Sequence, residues 1–295
     1  MRENVEEREA SAVFAEAAQL ARHIRRAGED IEVGTLLLPA KTLLGPGELA
    51  ILAAQGVTTA NVHKRPRVAI LSTGDELVPL GQTPKPGQII NSNNITLAAQ
   101  VRQAGAIPVN AGIVPDTMKD TVRALRSLAD YDILLTSGGV SVGDFDFVID
   151  AYDSVGIANH FWKVAVKPGK PLAFGVRENG QLVLGLPGNP ASSLVSFELF
   201  VRPLLRKLLG YANPLRPRVP VTLSEAISKK PGRTHLVRAT LERQDTGLLA
   251  TPLAKQGSGM HRSMACVDCF LELPLDAGDF AAGSTVNALV LGEAL

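Results

Sequence analysis

Cysteine is almost missing from this chain of 295 residues: there are two, Cys266 and Cys269, in the run Cys-Val-Asp-Cys. Two thiols are too few for a disulfide framework and supply half of a four-cysteine zinc site. The pair therefore reads as two small apolar residues of a C-terminal strand. Charge of one sign is missing too. Thirty Lys and Arg against 29 Asp and Glu leave a formal net charge of +1, so no basic field holds a nucleic-acid backbone and any anion must be caught by local arrangement. No run approaches the roughly eighteen uninterrupted apolar residues of a membrane span. The first residues, Met1-Arg-Glu-Asn-Val-Glu-Glu-Arg8, are polar where a secretory signal is apolar. These absences point to the cytoplasm and to small-molecule partners, with neither nucleic acid nor membrane among them. The chain also has no His-Glu-x-x-His motif, no legible Ser-His-Asp set, no Walker pattern and no well-placed Gly-x-Gly-x-x-Gly. Zinc hydrolases, P-loop enzymes and nicotinamide dehydrogenases are thereby disfavoured.

What is present is an ordinary globular composition, 45% hydrophobic and 20% charged, long enough for more than one domain. Three parts are expected, at 1–64, 65–213 and 214–295. The first opens with a helical-looking, Glu-, Arg- and Ala-rich stretch over 1–26. Short turns and strands follow, then a short apolar helix from Glu48 to Gln55, closed by Gly56. From Arg65, apolar runs alternate with amphipathic segments, the signature of parallel strands joined by helices. The expected strands are Val68 to Leu71, Ile107 to Val114, Ile133 to Thr136, Phe161 to Val166 and Leu182 to Leu186. Their all-apolar character suits a sheet covered on both faces. Helical spacing marks Ile95 to Ala104 and Thr117 to Leu128, the second with Asp116 as a candidate cap. A last helix runs from Pro190 to Leu209, stopped by Gly210. Beyond Pro214, short alternating segments predict a small all-β domain.

In open parallel sheets, ligands collect beyond the carboxyl ends of the strands. Three such ends here carry glycines and hydroxyls: Ser72-Thr-Gly-Asp-Glu-Leu77, Thr136-Ser-Gly-Gly-Val-Ser-Val-Gly-Asp-Phe-Asp146 and Gly185-Leu-Pro-Gly-Asn-Pro190. Such loops let backbone approach a phosphate or other oxyanion, although any one of them could be a plain tight turn. In Phe161-Trp-Lys-Val-Ala-Val-Lys-Pro-Gly-Lys-Pro171, strand alternation puts Lys163 and Lys167 on one face, about 13 Å apart at roughly 3.3 Å per residue. With Lys170 they read as a cationic wall. Glu76, Asp116, Asp144 and Asp146 lie just past strand ends, where carboxylates beside phosphate need a cation, most often magnesium. Asp116 could instead cap a helix, Asp75 could be a turn residue, and Asp144 has no role beyond capping or solvation.

These four ordered motifs resemble the molybdopterin molybdenumtransferase family. The resemblance implies an α/β fold: a three-layer, parallel or mixed sheet that binds molybdopterin, a partial helical and extended N-terminal domain, and a small C-terminal β-barrel. It implies insertion of molybdate into adenylyl-molybdopterin with release of AMP, dependent on Mg2+, in a homodimer whose sites are shared between subunits and which works with other molybdenum cofactor synthesis proteins. Carried over by position, Glu76 and Asp146 become the metal-side acids, and Asp116 a further catalytic carboxylate beside Lys163 and Lys167. Ser72, Thr73, Gly74, Ser137, Gly138, Gly139 and Ser141 would line the nucleotide and phosphate pocket. Lys170, Pro187, Gly188, Asn189, Pro190 and Ser192 would surround the pterin phosphate and molybdate, with Arg238 and Ser258 from the last domain. Two departures stand out. Met260-His-Arg-Ser-Met-Ala-Cys266 differs from the small, hydroxyl-rich pattern usual there, and the family's N-terminal Asp-Gly-Tyr-Ala and Thr-Gly-Ala motifs do not occur. A shortened form is therefore expected. A non-catalytic molybdopterin-binding or scaffold protein is the alternative. A molybdopterin adenylyltransferase is a third reading, which the C-terminal all-β segment disfavours.

Overall fold

A computed structural model describes residues 5–15, 17, 20–21, 23–140 and 148–292. The chain forms two compact units, 1–60 and 61–295. In the first, β1 (Val5–Arg8) and β2 (Ser11–Phe14) make an antiparallel hairpin, followed by α1 (Pro46–Ala54). The expected helix over 1–26 is thus corrected to a hairpin at its start. Helix-favouring composition is only a weak preference, and here the backbone of Val5–Arg8 pairs with that of Ser11–Phe14 instead. At α1 the Glu48 carboxylate accepts the Gly45 N–H at 3.0 Å, satisfying a donor just outside the first turn.

The second unit begins with a six-stranded mixed sheet. Its members are β3 (Arg67–Thr73), β6 (Ile107–Val114), β7 (Ile133–Ser137), β8 (Ile157–Trp162), β10 (Ala173–Arg177) and β11 (Leu182–Leu186), in the order β6-β3-β7-β11-β10-β8. The first four are parallel, whereas β10 runs antiparallel to both its neighbours. A two-residue pairing of β4 (Leu77–Val78) with β5 (Ile89–Ile90) stands beyond the end of β3. Alternation along each central strand feeds two cores. Val68, Ile70, Ile133, Leu135, Leu184 and Leu186 pack with α2 (Ser92–Gln103) and with the long helical segment that starts at Pro190. Ala69, Leu71, Leu134 and Val183 pack with α3 (Met118–Ser127) and α4 (Val148–Asp153). Each fully buried Leu or Ile contributes about 1.5–3 kcal/mol, so the two-sided apolar runs account for three layers.

Three local expectations need correction. The cap of α3 is Thr117, not Asp116: its extended backbone puts Oγ1 3.2 Å from the Asp120 N–H that it accepts. The final helix is α5 (Pro190–Ser196), a π-helical stretch over Phe197–Val201 and α6 (Arg202–Leu208). At its end Tyr211 N–H donates to the Arg206 carbonyl and Gly210 N–H to the Lys207 carbonyl, the paired bonds of a glycine-stopped helix. The expected strand Phe161 to Val166 is broken. The chain leaves β8 at Lys163, where φ is 74°, with Lys163 N–H donating to the Leu172 carbonyl and Val164 N–H to the Lys170 carbonyl. It then enters β9 (Val166–Lys167), whose backbone pairs with the barrel strand β13 (Thr234–Gln244). Lys163 therefore lies just past β8 while Lys167 lies in β9, beside the barrel strand β13, and the two share no strand face.

From Arg218 the chain closes a five-stranded barrel. Around it run β12 (Arg218–Leu223), β16 (Thr285–Val290), β15 (Cys269–Leu273), β13 and β14 (Gly247–Pro252), which returns to β12. Val221, Leu223, Val237, Leu271 and Ala288 fill it. Cys269 is buried in that core, where burial and the neighbouring Asp268 push its thiol up to about 12, while Cys266 is exposed just past α7 (Arg262–Ala265). The two thiols thus occupy unlike environments, only one of them in a strand.

Candidate ligand cavity at the strand ends

The three loops singled out in the sequence converge. A cavity of about 980 Å³ opens beyond β3, β7 and β11, lined by Thr73, Gly74 and Glu76 from the first loop, Ser137, Gly138 and Gly139 from the second, and Pro187, Gly188, Asn189 and Pro190 from the third. Asp116, at the end of β6, joins the lining. The glycines are required by space. Gly138 has φ +97°, and a Cβ there would come within 2.6 Å of the Thr73 carbonyl oxygen; at Gly139 (φ +66°) it would meet Val148 at 2.4 Å. Backbone of the second loop therefore lies directly on the end of β3. Under this floor the Tyr152 hydroxyl and Thr136 Oγ1 are 2.9 Å apart, with the phenol pushed upward by complete burial. Trp162 donates its indole N–H to the Val140 carbonyl at 2.9 Å, fixing the next residue of that loop.

Two polar ties set the loops relative to one another. Asn93, in the first turn of α2, donates to Ser137 Oγ at 2.9 Å and to the Gly188 carbonyl at 2.7 Å, joining the second and third loops through one amide. Asp75 and Asp116 clasp reciprocally: Asp75 N–H donates to Asp116 Oδ2 at 3.3 Å and Asp116 N–H to Asp75 Oδ1 at 3.1 Å. The Asp116 carboxylate is thereby held at the wall. Among the described residues the buried Thr73 Oγ1 and Ser72 Oγ have no hydrogen-bond partner.

The barrel supplies one further side. Gly259 and His261 line the cavity, and the Ser258 carbonyl accepts the Ala191 N–H of α5 at 2.9 Å. Arg238 does not reach the lining. It is completely buried, donating to the carbonyls of Lys255 and Gly257, while Gln256 bonds both the N–H and the carbonyl of Arg238. Its place is beneath the loop that carries Ser258 to His261. Ser192 is buried on α5, and Ser72, Ser258, Lys163, Lys167 and Lys170 also stand outside the lining. Lys163 lies over the Trp162 ring at 3.7 Å. Lys167 pairs in register with His235, whose imidazole is held down to about 4 by burial and by Lys167, Lys229, Arg233 and Arg238. The expectations for Ser141, Asp144 and Asp146 lie outside the described residues.

Sequence reasoning missed Asn91, Ser92, Asn93 and His261. The signal for the first three was legible: Asn91-Ser-Asn-Asn94 precedes the apolar spacing of α2, and Asn91 caps it by accepting the Asn94 N–H. His261 had no local signal, because it reaches the cavity only through the packing of the barrel.

Among the described residues, no three His, Cys, Asp or Glu side chains form a metal cluster. Glu76 and Asp116 nevertheless present hard carboxylate oxygens to the same cavity. That donor set suits magnesium, which commonly takes one or two carboxylates and completes its shell with ligand phosphates and water.

Fold and site define a small-molecule-binding α/β domain whose cavity is bounded on one side by a barrel. The sequence matches three family models: a probable molybdopterin binding domain over 69–207, the MoeA C-terminal region (domain IV) over 220–291 and the MoeA N-terminal region (domain I and II) over 1–56. Molybdopterin molybdenumtransferase 2 of Mycobacterium tuberculosis is 37% identical over 283 residues, 94% of this chain and 69% of the relative. Molybdopterin molybdenumtransferase of Bacillus subtilis is 36% identical over 93% of this chain and 64% of its own length. The solved molybdopterin biosynthesis MoeA protein of Pyrococcus horikoshii superimposes with a TM-score of 0.80 at 30% identity, covering 98% of this chain and 70% of that one. The chain belongs to the molybdopterin molybdenumtransferase family and spans about two thirds of the length of these relatives.

Proposed function

We propose that this chain performs the molybdenum insertion step of molybdenum cofactor biosynthesis, taking adenylyl-molybdopterin and molybdate and releasing AMP. The observation that carries the reading is the convergence of three glycine- and hydroxyl-rich strand ends on one cavity that also presents Glu76 and Asp116. A cavity of this size suits a cofactor-sized ligand. Its exposed backbone, hydroxyls and carboxamides suit phosphates, and its acids suit a cation between protein and phosphate. Glu76 and Asp116 would hold magnesium, with Asp146 as the proposed third acid. The metal, when bound, would neutralise the charge gathered by phosphate and molybdate. The chain's own part is positioning: Asn93 fixes two phosphate-facing loops in one geometry, and the Asp75–Asp116 clasp presents the carboxylate without reorganisation at the moment of reaction.

The test is direct. Purified chain supplied with adenylyl-molybdopterin, magnesium and molybdate should release AMP, and should release it more slowly without molybdate. Tight retention of the pterin with no AMP release would instead favour a non-catalytic molybdopterin-binding protein. A specific observation supports that second reading: no Lys or Arg is among the described residues lining the cavity. Formation of adenylylated pterin from ATP and molybdopterin would favour an adenylyltransferase.

The same reading includes a homodimer. Leu20, Val33 and Leu36 of the first unit are 101%, 107% and 75% exposed, a supply of apolar surface that a second copy can cover. Light scattering should give twice the mass of the chain; a monomer at micromolar concentration would count against it. No helix among the described residues is long and apolar enough to cross a membrane, and the proposed setting is the cytoplasm, beside the other proteins of cofactor synthesis.

A further inference from the structure

His261 belongs to the segment that departs from the family pattern, and it is the one barrel side chain with a titratable group at the cavity wall among the described residues. Its position is built. From below, Arg238 and Gln256 hold the preceding loop; from the side, the Ser258 carbonyl takes the Ala191 N–H; and the imidazole Nε2 lies 2.8 Å from Ser92 Oγ at the start of α2. The remaining walls give the cavity two carboxylates and no lysine or arginine among the described residues, which is a poor balance for an anionic ligand. His261 is the only described lining side chain able to carry positive charge.

We propose that His261 is an oxyanion-contacting residue of this cavity, donating a hydrogen bond to ligand phosphate or molybdate while Ser92 holds the other ring nitrogen. This rests on the molybdenum-insertion reading of the same cavity and goes beyond it in giving the barrel's contact to His261, which that reading does not include. Ser92 can donate to Nε2 when the proton sits on Nδ1, or accept from Nε2–H in the imidazolium. In these two states Nδ1 carries the proton that is donated to the ligand; in the neutral Nε2–H tautomer it does not. A hydrogen bond to an oxyanion of this kind discriminates by about tenfold in affinity.

The experiment is calorimetric titration of the full chain with AMP and, separately, with molybdate. His261→Ala should weaken at least one of the two by about tenfold, whereas His261→Lys, which keeps a cationic donor, should stay within about threefold of the unaltered chain. Ser92→Ala should give a smaller loss, since it frees the ring without removing the donor. Raised salt should weaken His261→Lys more than His261→Ala. Loss in the AMP arm assigns the contact to phosphate, and loss in the molybdate arm to molybdate. Unchanged affinity of His261→Ala for both ligands overturns this inference alone. So does equal loss in His261→Ala and His261→Lys with native circular dichroism, which would mean that only the loop's shape matters. Failure of the unaltered chain to bind either ligand overturns the reading on which the inference rests, and the inference with it.

Discussion

Asn93 is the side chain on which the cavity's geometry depends most, and its replacement by alanine has a calculable cost. The carboxamide gives one hydrogen bond to Ser137 Oγ and another to the Gly188 carbonyl, at 2.9 and 2.7 Å. Each bond contributes about 0.5–1.5 kcal/mol net, and stranding the buried Ser137 hydroxyl adds about 1 kcal/mol, for a total of about 2–4 kcal/mol. At about 2–4 °C per kcal/mol for a unit of this size, the melting temperature should fall by about 4–16 °C. Asn93→Asp sharpens the test. It keeps an acceptor for Ser137 but turns an oxygen toward the Gly188 carbonyl, so it should be no better than alanine. The assay is thermal unfolding followed by circular dichroism, paired with titration of AMP, whose affinity should fall as the two loops separate. A melting temperature within about 1 °C of the unaltered chain, with AMP affinity unchanged, would refute the claim that this amide sets the loops.

Glu198 is buried between Arg216, at 2.9 Å, and Arg202, at 3.8 Å, and accepts from Gln100 at 3.0 Å. Glu198→Ala strands two buried guanidinium groups and should cost about 3–5 kcal/mol in urea denaturation; a loss under about 1 kcal/mol would contradict the network. His235 supplies a pH prediction. Its folded value of about 4 lies below the unfolded value near 6.5, so the unfolded chain binds the proton first on acidification. Stability should be intact above about pH 6.5 and fall by up to about 3 kcal/mol as pH drops toward 4. His235→Gln should flatten that part of the profile, and identical profiles would exclude His235 as the cause.

Much of the sheet was legible because its central strands are buried on both faces and therefore read as unbroken apolar runs: Val68–Leu71 falls within β3, and Leu182–Leu186 matches at both ends, as does the partly buried edge strand Ile107–Val114. The glycine loops were legible for a related reason. Only glycine fits where Gly138 and Gly139 meet Thr73 and Val148, so the sequence carries the mark of the contact. Lys163 to Lys167 was misread because period-two alternation says which residues share a face only if the strand continues, and the pairing of Val166 and Lys167 with Thr234 and His235 is a contact some seventy residues away in sequence. The hairpin over Val5–Phe14 was missed because helix-favouring composition decides little where nothing is buried. His261 was out of reach for the same reason as the lysine break: local pattern gives residue type and spacing, not where a barrel loop comes to rest.

The cavity beyond β3, β7 and β11 should receive the phosphate-bearing ligand. A crystal structure of the chain with AMP tests it most directly. The expected result is ligand density bounded by Gly74, Ser137 to Gly139 and Gly188, with the phosphate within hydrogen-bond reach of the loops that Asn93 joins. Ordered AMP seated elsewhere, such as the groove beside His160 and Glu178 at the sheet edge, with the strand-end cavity free of it, would contradict the account.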